Sequence, residues 1–225
     1  NDGLDQRKAI YLPYPGSLPN LALIDRASCL RSGGKECTAC ADACPFGAVV
    51  LDQEDEVVEL NVGAVVLATG FELLDAAAVP GTGYATIPEV YTSLEFEKLL
   101  CSDGPTGGQL VKKDGSTPSS VAFIHCVGSR SAAHREYCSG ACCMYTMKLA
   151  HQVRGKLPEA DVVEIHGNLT VAGKGYSRLP GLLAEDGVKM MRTSTPDEIA
   201  GRGEGDSCVI TVPGHGGSRE DKADM

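Results

Sequence analysis

Ten cysteines are the residues of this 225-residue chain best suited to chemistry, and eight of them fall into two tight groups. Cys29, Cys37, Cys40 and Cys44 lie in "CLRSGGKECTACADACPFGAV", with the spacing Cys-x7-Cys-x2-Cys-x3-Cys-Pro. The x2 and x3 intervals ending in Cys-Pro are the bacterial ferredoxin pattern for a 4Fe–4S cluster. A tight turn lets successive sulfurs converge on one centre, and Pro45 then diverts the chain into its next element. Zinc is the structural alternative, since Cys-x2-Cys also suits a tetrahedral site. The "FGA" that follows Cys-Pro favours the cluster. In two-cluster ferredoxins the cysteine before the proline serves the other cluster. Either Cys44 closes its own cluster, or it serves one whose other ligands lie upstream.

The second group is Cys126, Cys138, Cys142 and Cys143. "VAFIHC" reads as a buried strand and "VGSRSAAHREYCSGACCMYTMKLA" follows it. A dinucleotide-binding unit would place G-x-G-x-x-G here, cradling a pyrophosphate at the helix N-terminus. Gly128 stands alone, so nicotinamide-nucleotide binding is not expected and sulfur surrounds the place a phosphate would take. A helix from about Ser139 to Arg154 would put positions 138 and 142 on one face with 143 beside them. Its dipole would favour thiolates and an anionic cluster. Inert buried cysteines and a redox-active dithiol are the competing readings, and four cysteines together favour a 4Fe–4S cluster. Without metal, a bridge between the adjacent Cys142 and Cys143 would distort the backbone. Free thiols, or a bridge through Cys126 or Cys138, are expected instead, with the loop 127–137 losing its anchor.

These groups need a frame. The continuous apolar run in "EVVELNVGAVVLATGF" (56–71), together with "SSVAFIHCVG", "ADVVEIHGN", "VKMMRT" and "SCVITV", reads as buried-type strands. Helices are expected over Ser93–Leu100, after Ser139, and over 176–186. Strand and helix alternate as in a parallel α/β sheet. Residues 1–28 are Pro-rich and irregular, and "GHGGSREDKADM" reads as a mobile tail.

Composition narrows the function classes. A formal charge of −10 argues against nucleic acid, which demands a basic surface. No run approaches the roughly 20 apolar residues of a membrane span, so no direct membrane insertion is expected. The N-terminus has no signal-peptide core and no initiator Met, and the chain is expected to be part of a longer polypeptide. Two cysteine groups without secretory features point to metal rather than disulfides.

Taken in order, "KAIYLPYPGSLPN", the first cysteine group, "VGAVVLATGF", "TSLEFEKLL", "GPTGG", "VAFIHCVGSR", "YCSGACCMYTMKLA" and "GKGY" resemble the A subunit of heterodisulfide reductase. They are equally similar to the B subunit of the quinone-interacting membrane-bound oxidoreductase of sulfate reducers. The resemblance runs from about residue 7 to residue 193. It implies a thioredoxin-reductase-like (Rossmann-type) α/β parallel-sheet domain with a partial ferredoxin-like insert. On that basis 1–55 would be the iron–sulfur segment, 56–212 the α/β domain, and 213–225 the tail. It also implies that Cys126, Cys138, Cys142 and Cys143 hold an additional cluster near a flavin, giving one or two 4Fe–4S clusters in all. Ala68, Thr69 and Gly70 would lie against FAD, with Gly70 allowing close approach. The family's Gly-rich flavin loop is absent from this chain, so FAD is expected in the full-length protein rather than here.

The function so implied is electron transfer between flavin and clusters within a cytoplasmic heterodisulfide-reductase-like or quinone-interacting complex. Its partners would be the complex's other polypeptides, holding it peripheral to a membrane at most. The chain would be part of an oxidoreductase and not catalytic alone. The rival is a non-redox module in which zinc or bare thiols hold loops. His125 inside its strand reads as a satisfied core histidine, Lys174 in "GKGY" as a solvated lysine, and Cys101 and Cys208 as non-ligands.

Overall fold

The computed structural model describes residues 3–14, 16–54, 56–214 and 217–225. Its residues group into two compact units, Asn1–Glu72 and Leu73–Met225; the sequence placed the boundary at 55/56.

In the first unit regular structure is sparse. A two-residue antiparallel ladder joins β1 (Ile10–Tyr11) to β2 (Leu23–Ile24), and one short helix, α1 (Ala39–Asp42), carries Cys40. Arg7 stacks on the Tyr11 ring at 3.5 Å, and Arg31 pairs with Asp52 at 2.7 Å. The apolar run 64–67 forms no strand. Val65, Val66 and Leu67 there are between 75% and 88% exposed. Hydrophobic residues do not make a strand alone, because the backbone groups need a neighbour to bond to. Among the described residues no segment pairs with 64–67.

The second unit is mixed α/β. Helix α2 (Ser93–Leu100) matches its sequence reading at both ends. A capping box explains that agreement: Glu95 N–H donates to Thr92 Oγ1 at 3.3 Å, and Thr92 N–H donates to Glu95 Oε2 at 2.7 Å. Two otherwise unpaired groups are satisfied reciprocally. Replacing Thr92 with Ala should therefore cost about 1 kcal/mol, measured as a lowered urea midpoint. The "KKDG" segment is a turn, closed by Gly115 N–H on the Lys112 carbonyl at 2.9 Å.

Strands β3 (Ser120–Ile124), β4 (Asp161–His166) and β5 (Lys189–Arg192) form a parallel sheet in the order β3-β4-β5. Helix α3 (Cys142–Lys156) crosses from β3 to β4, and α4 (Leu179–Glu185) crosses from β4 to β5. Strand β4 is buried on both faces from Val162 onward. Val163 and Ile165 point into a core shared with Met191, Ile210 and Val212. Side chains alternate along a strand, so Val162, Glu164 and His166 take the opposite face, against which α3 packs. Leu149, Met147 and Val153 of α3 are fully buried.

The core's other wall was not foreseen. "SCVITV" becomes β7 (Ser207–Gly214), the middle strand of an antiparallel sheet between β6 (Ala200–Glu204) and β8 (Gly217–Ala223). Residues 213–225, read as a mobile tail, are thus largely structured. His215 and Gly216 of that stretch lie outside the described residues. Ser119 N–H and Oγ donate to Asp224 Oδ2, each at 2.7 Å. The Ala122 N–H donates to the Met225 carbonyl at 2.9 Å. Composition suggested disorder, but pairing with an apolar strand and a buried end prevailed. Among the described residues, no helix is long and apolar enough to cross a membrane.

Candidate metal centre

Strand β3 ends at Ile124, and the chain then runs on to the N-terminus of α3. His125 continues the alternation of Val121 and Phe123, so it lies on the face of the sheet that α3 covers. Its partner there is Glu164 of β4, with Nε2 to Oε2 at 2.9 Å and neither side chain exposed. His125 Nδ1 and Glu164 Oε1 are buried without a hydrogen-bond partner. Cys126 adopts a left-handed conformation at φ 62°, uncommon for a residue with a Cβ. That turn takes the chain off the sheet, and the Cys126 thiol meets Cys142. Gly128 follows at φ 64°, where a Cβ would strain the backbone and press on the Leu74 side chain.

Helix α3 begins at Cys142, three residues later than the sequence suggests, and Gly140 turns the chain before it at φ 71°. Cys142 and Cys143 thus occupy the first turn, while Cys138 lies outside the helix. The expected alignment of 138 and 142 on one helical face does not form. Cys138 instead approaches through the loop after β4: Thr170 Oγ1 is 3.8 Å from its Sγ, and the Thr170 N–H donates to Cys143 Sγ at 3.3 Å. Gly140 N–H donates to Cys138 Sγ at 3.4 Å. A ring nitrogen of His125 and the sulfurs of Cys142 and Cys143 lie within 4.8 Å of one another. That is the arrangement a shared metal ligand set requires.

Charge is unevenly held across this group. The hydrogen bond from Cys126 pulls the Cys142 thiol down to about 5 against the opposing effect of burial, with Ser139 and the His125 charge adding. Cys126, as the donor, is pushed well above the ordinary thiol range, and burial adds to the rise. Burial draws His125 downward, but Cys143 and Glu164 outweigh it and raise it to about 9. Burial lowers the neighbouring His166, whose ring packs edge-on to His125 at 6.0 Å between centroids. A thiolate is the form that binds metal, and the N-terminus of α3 with its dipole supports one at Cys142.

All ten cysteines are free thiols, Cys142 and Cys143 among them. The loop 127–137 carries backbone hydrogen bonds of its own. Ser129 N–H donates to the Cys126 carbonyl at 2.9 Å, Arg130 N–H to the Tyr137 carbonyl at 3.2 Å, and Ser131 N–H to the Arg135 carbonyl at 2.9 Å.

The first cysteine group is more open. Cys29, Cys37, Cys40 and Cys44 are half-buried, and among the described residues no three of them gather within 4.8 Å. Backbone amides already address the sulfurs: Ala48 N–H donates to Cys44 Sγ at 3.4 Å, and such bonds hold the Cys44 thiol below its ordinary value. Cys29 is likewise lowered, chiefly by the backbone at Ser32. Ala68, Thr69 and Gly70 are exposed, with open space around Gly70. Lys174 is exposed, Cys208 is packed in the core and Cys101 follows α2.

The His125–Glu164 pair is the feature that reading the sequence missed. The clue was present as ionisable residues inside two otherwise apolar runs, His125 in "VAFIH" and Glu164 in "VVEIH". Only the parallel register of Ile124 with Ile165 sets those residues on one face.

No family model matches the chain. Curated relatives do. The chain is 38% identical over 202 residues to the A subunit of the H(2):CoB-CoM heterodisulfide,ferredoxin reductase of Methanothermobacter thermautotrophicus, a match covering 88% of this chain and 30% of that protein. Identity is 42% over 179 residues with the second A-type iron-sulfur subunit of the CoB–CoM heterodisulfide reductase of Methanopyrus kandleri, covering 78% and 26%. It is 37% over 203 residues with the A subunit of the ferredoxin/F(420)H(2)-dependent CoB-CoM heterodisulfide reductase of Methanosarcina acetivorans, covering 89% and 25%. The chain therefore spans less than a third of the length of these relatives. Over most of its own length, the chain is similar in sequence to heterodisulfide reductase A subunits.

Proposed function

We propose that this chain is an electron-transfer segment of a heterodisulfide-reductase-like complex, with a 4Fe–4S cluster bound at the N-terminus of α3. The observation that carries the reading is the convergence of Cys142, Cys143 and a His125 nitrogen within 4.8 Å, with the Cys126 thiol hydrogen-bonded to Cys142. Cys138, bridged to Cys143 through Thr170, completes the cysteine set. The relatives named as iron-sulfur subunits support the same assignment. The residues fit an anionic group, because amide N–H groups address two of the sulfurs and a buried imidazole nitrogen has no partner. A bound 4Fe–4S cluster supplies one-electron transfer, at a potential set by hydrogen bonds to sulfur and by burial. Thr170 and Gly140 are the donors that tune it here.

Cys29, Cys37, Cys40 and Cys44 are the ligands of a second cluster in this reading, in a ferredoxin-like segment before the α/β domain. That domain is the thioredoxin-reductase-like part of a larger polypeptide, whose FAD exchanges electrons with the clusters and touches Ala68, Thr69 and Gly70. The other polypeptides of the complex are its partners in the cytoplasm and supply the terminal chemistry.

Anaerobic reconstitution tests the assignment. Changing both Cys142 and Cys143 to Ser should remove one cluster's iron and leave the iron at the first group; undiminished iron in that variant sinks the proposal.

A further inference from the structure

Glu164 and His125 are fully buried and 2.9 Å apart, on the face of the sheet that α3 covers, and ligation by the four cysteines does not account for them. An ionisable pair in a core is expensive to bury and is weak evidence of stabilisation. The position of the pair points to another use. Glu164 engages Nε2. Nδ1, the other nitrogen of the ring, is buried without a well-formed hydrogen bond. Beyond Glu164 the ring meets sulfur: one ring nitrogen lies within 4.8 Å of both the Cys142 and the Cys143 sulfur. Cys143 acts with Glu164 in holding His125 up against the effect of burial. Neighbouring His166 lacks this arrangement, because its Nδ1 is taken by the Gly167 carbonyl at 2.7 Å.

We propose that His125 is a positioning residue that donates an Nδ1–H hydrogen bond to Cys143 Sγ while Glu164 anchors the ring through Nε2, and that this donor raises the reduction potential of the centre. The inference rests on the reading that Cys126, Cys138, Cys142 and Cys143 bind a 4Fe–4S cluster, and it leaves those four as the ligands. A lone pair aimed at an anionic sulfur would be repelled, so the nitrogen facing sulfur carries a hydrogen. The contact between Nε2 and Glu164 is then a hydrogen bond whichever of the two atoms holds the other proton. A partner on one ring nitrogen decides what the second one presents, which is the part Glu164 plays. Reduction adds an electron to a centre that is already anionic, so a donor at sulfur favours the reduced form over the oxidised one. Low local dielectric strengthens that hydrogen bond. Thr170 N–H reaches the same sulfur at 3.3 Å, and His125 adds a side-chain donor that substitution can remove.

The test is the midpoint potential of this centre in the whole chain, reconstituted anaerobically with iron and sulfide and titrated with electron paramagnetic resonance detection. Its signal is identified as the one lost in Cys142→Ser/Cys143→Ser. The double change His125→Phe/Glu164→Met replaces the pair by apolar side chains, which buried pairs often tolerate. Iron content should stay at the parental level while reduction becomes about tenfold less favourable, a fall of about 59 mV for one electron. His166→Gln should move the midpoint far less. A pair with a purely structural role would alter the urea midpoint or the iron content and leave the potential in place, and that result overturns the proposal. The parent chain gives a second reading that needs no variant to fold. Produced with 15N-labelled histidine, it should show by pulsed electron paramagnetic resonance a weak histidine nitrogen coupling, transmitted through a hydrogen bond, that persists in His166→Gln. A loaded centre without that coupling overturns the role of His125 and leaves the cysteine cluster standing. A parent that loses no iron when Cys142 and Cys143 are changed overturns the cluster itself.

Discussion

Glu164→Ala should lower the unfolding free energy of the metal-free chain by about 3–5 kcal/mol, the range for breaking a buried pair by removing one partner. Glu164 is fully buried in β4, so alanine would leave the His125 ring enclosed without the carboxylate it bonds at 2.9 Å. It would also open a void beneath α3. Glu164→Gln keeps a side chain of nearly the same size that can still hydrogen-bond the ring, and should cost less than half as much. Urea unfolding of the two variants beside the parent separates charge and packing from simple loss of an atom. A cost below about 1 kcal/mol for alanine, the scale of an exposed pair, would mean that the pair is not buried as described.

Leu149→Ala is the second large effect, expected at about 2–5 kcal/mol from lost burial plus a residual cavity. Leu149 has no exposed surface and sits near the middle of α3, which packs on β4. The change lies about two helical turns from the thiols, yet the same helix presents Cys142 and Cys143. Cluster retention after partial urea should therefore fall together with stability. If the chain kept its unfolding midpoint, the packing of α3 on the sheet would be wrong.

What the sequence made legible follows the range of the interactions. Helix α2 was readable to its ends because Thr92 and Glu95 close their capping box within one turn. Strands β3, β4 and β5 were readable because short, largely apolar stretches flanked by turns mark parallel strands. The apolar run 64–67 carries the same signal and forms no strand, since the signal reports burial tendency and not the presence of a neighbour. In "GSREDKA" the signal was missing altogether, and β8 exists because β7 offers an edge and Met225 a buried end.

The candidate metal centre divides along the same line. Cysteine identity and spacing announced both groups, but the start of α3 was misplaced by three residues and with it the route of Cys138. A positive φ at Gly140 decides that start, and glycine in sequence does not state which way it turns. The His125–Glu164 pair depended on strand register, a property of two segments that no local pattern records.

Iron and acid-labile sulfide, measured together on the anaerobically reconstituted chain, address the central claim most directly. Iron and sulfide are expected in equal molar amounts, with Cys142→Ser/Cys143→Ser removing both in the same proportion. Zinc in place of iron, or iron bound without labile sulfide, would contradict a cluster at the head of α3.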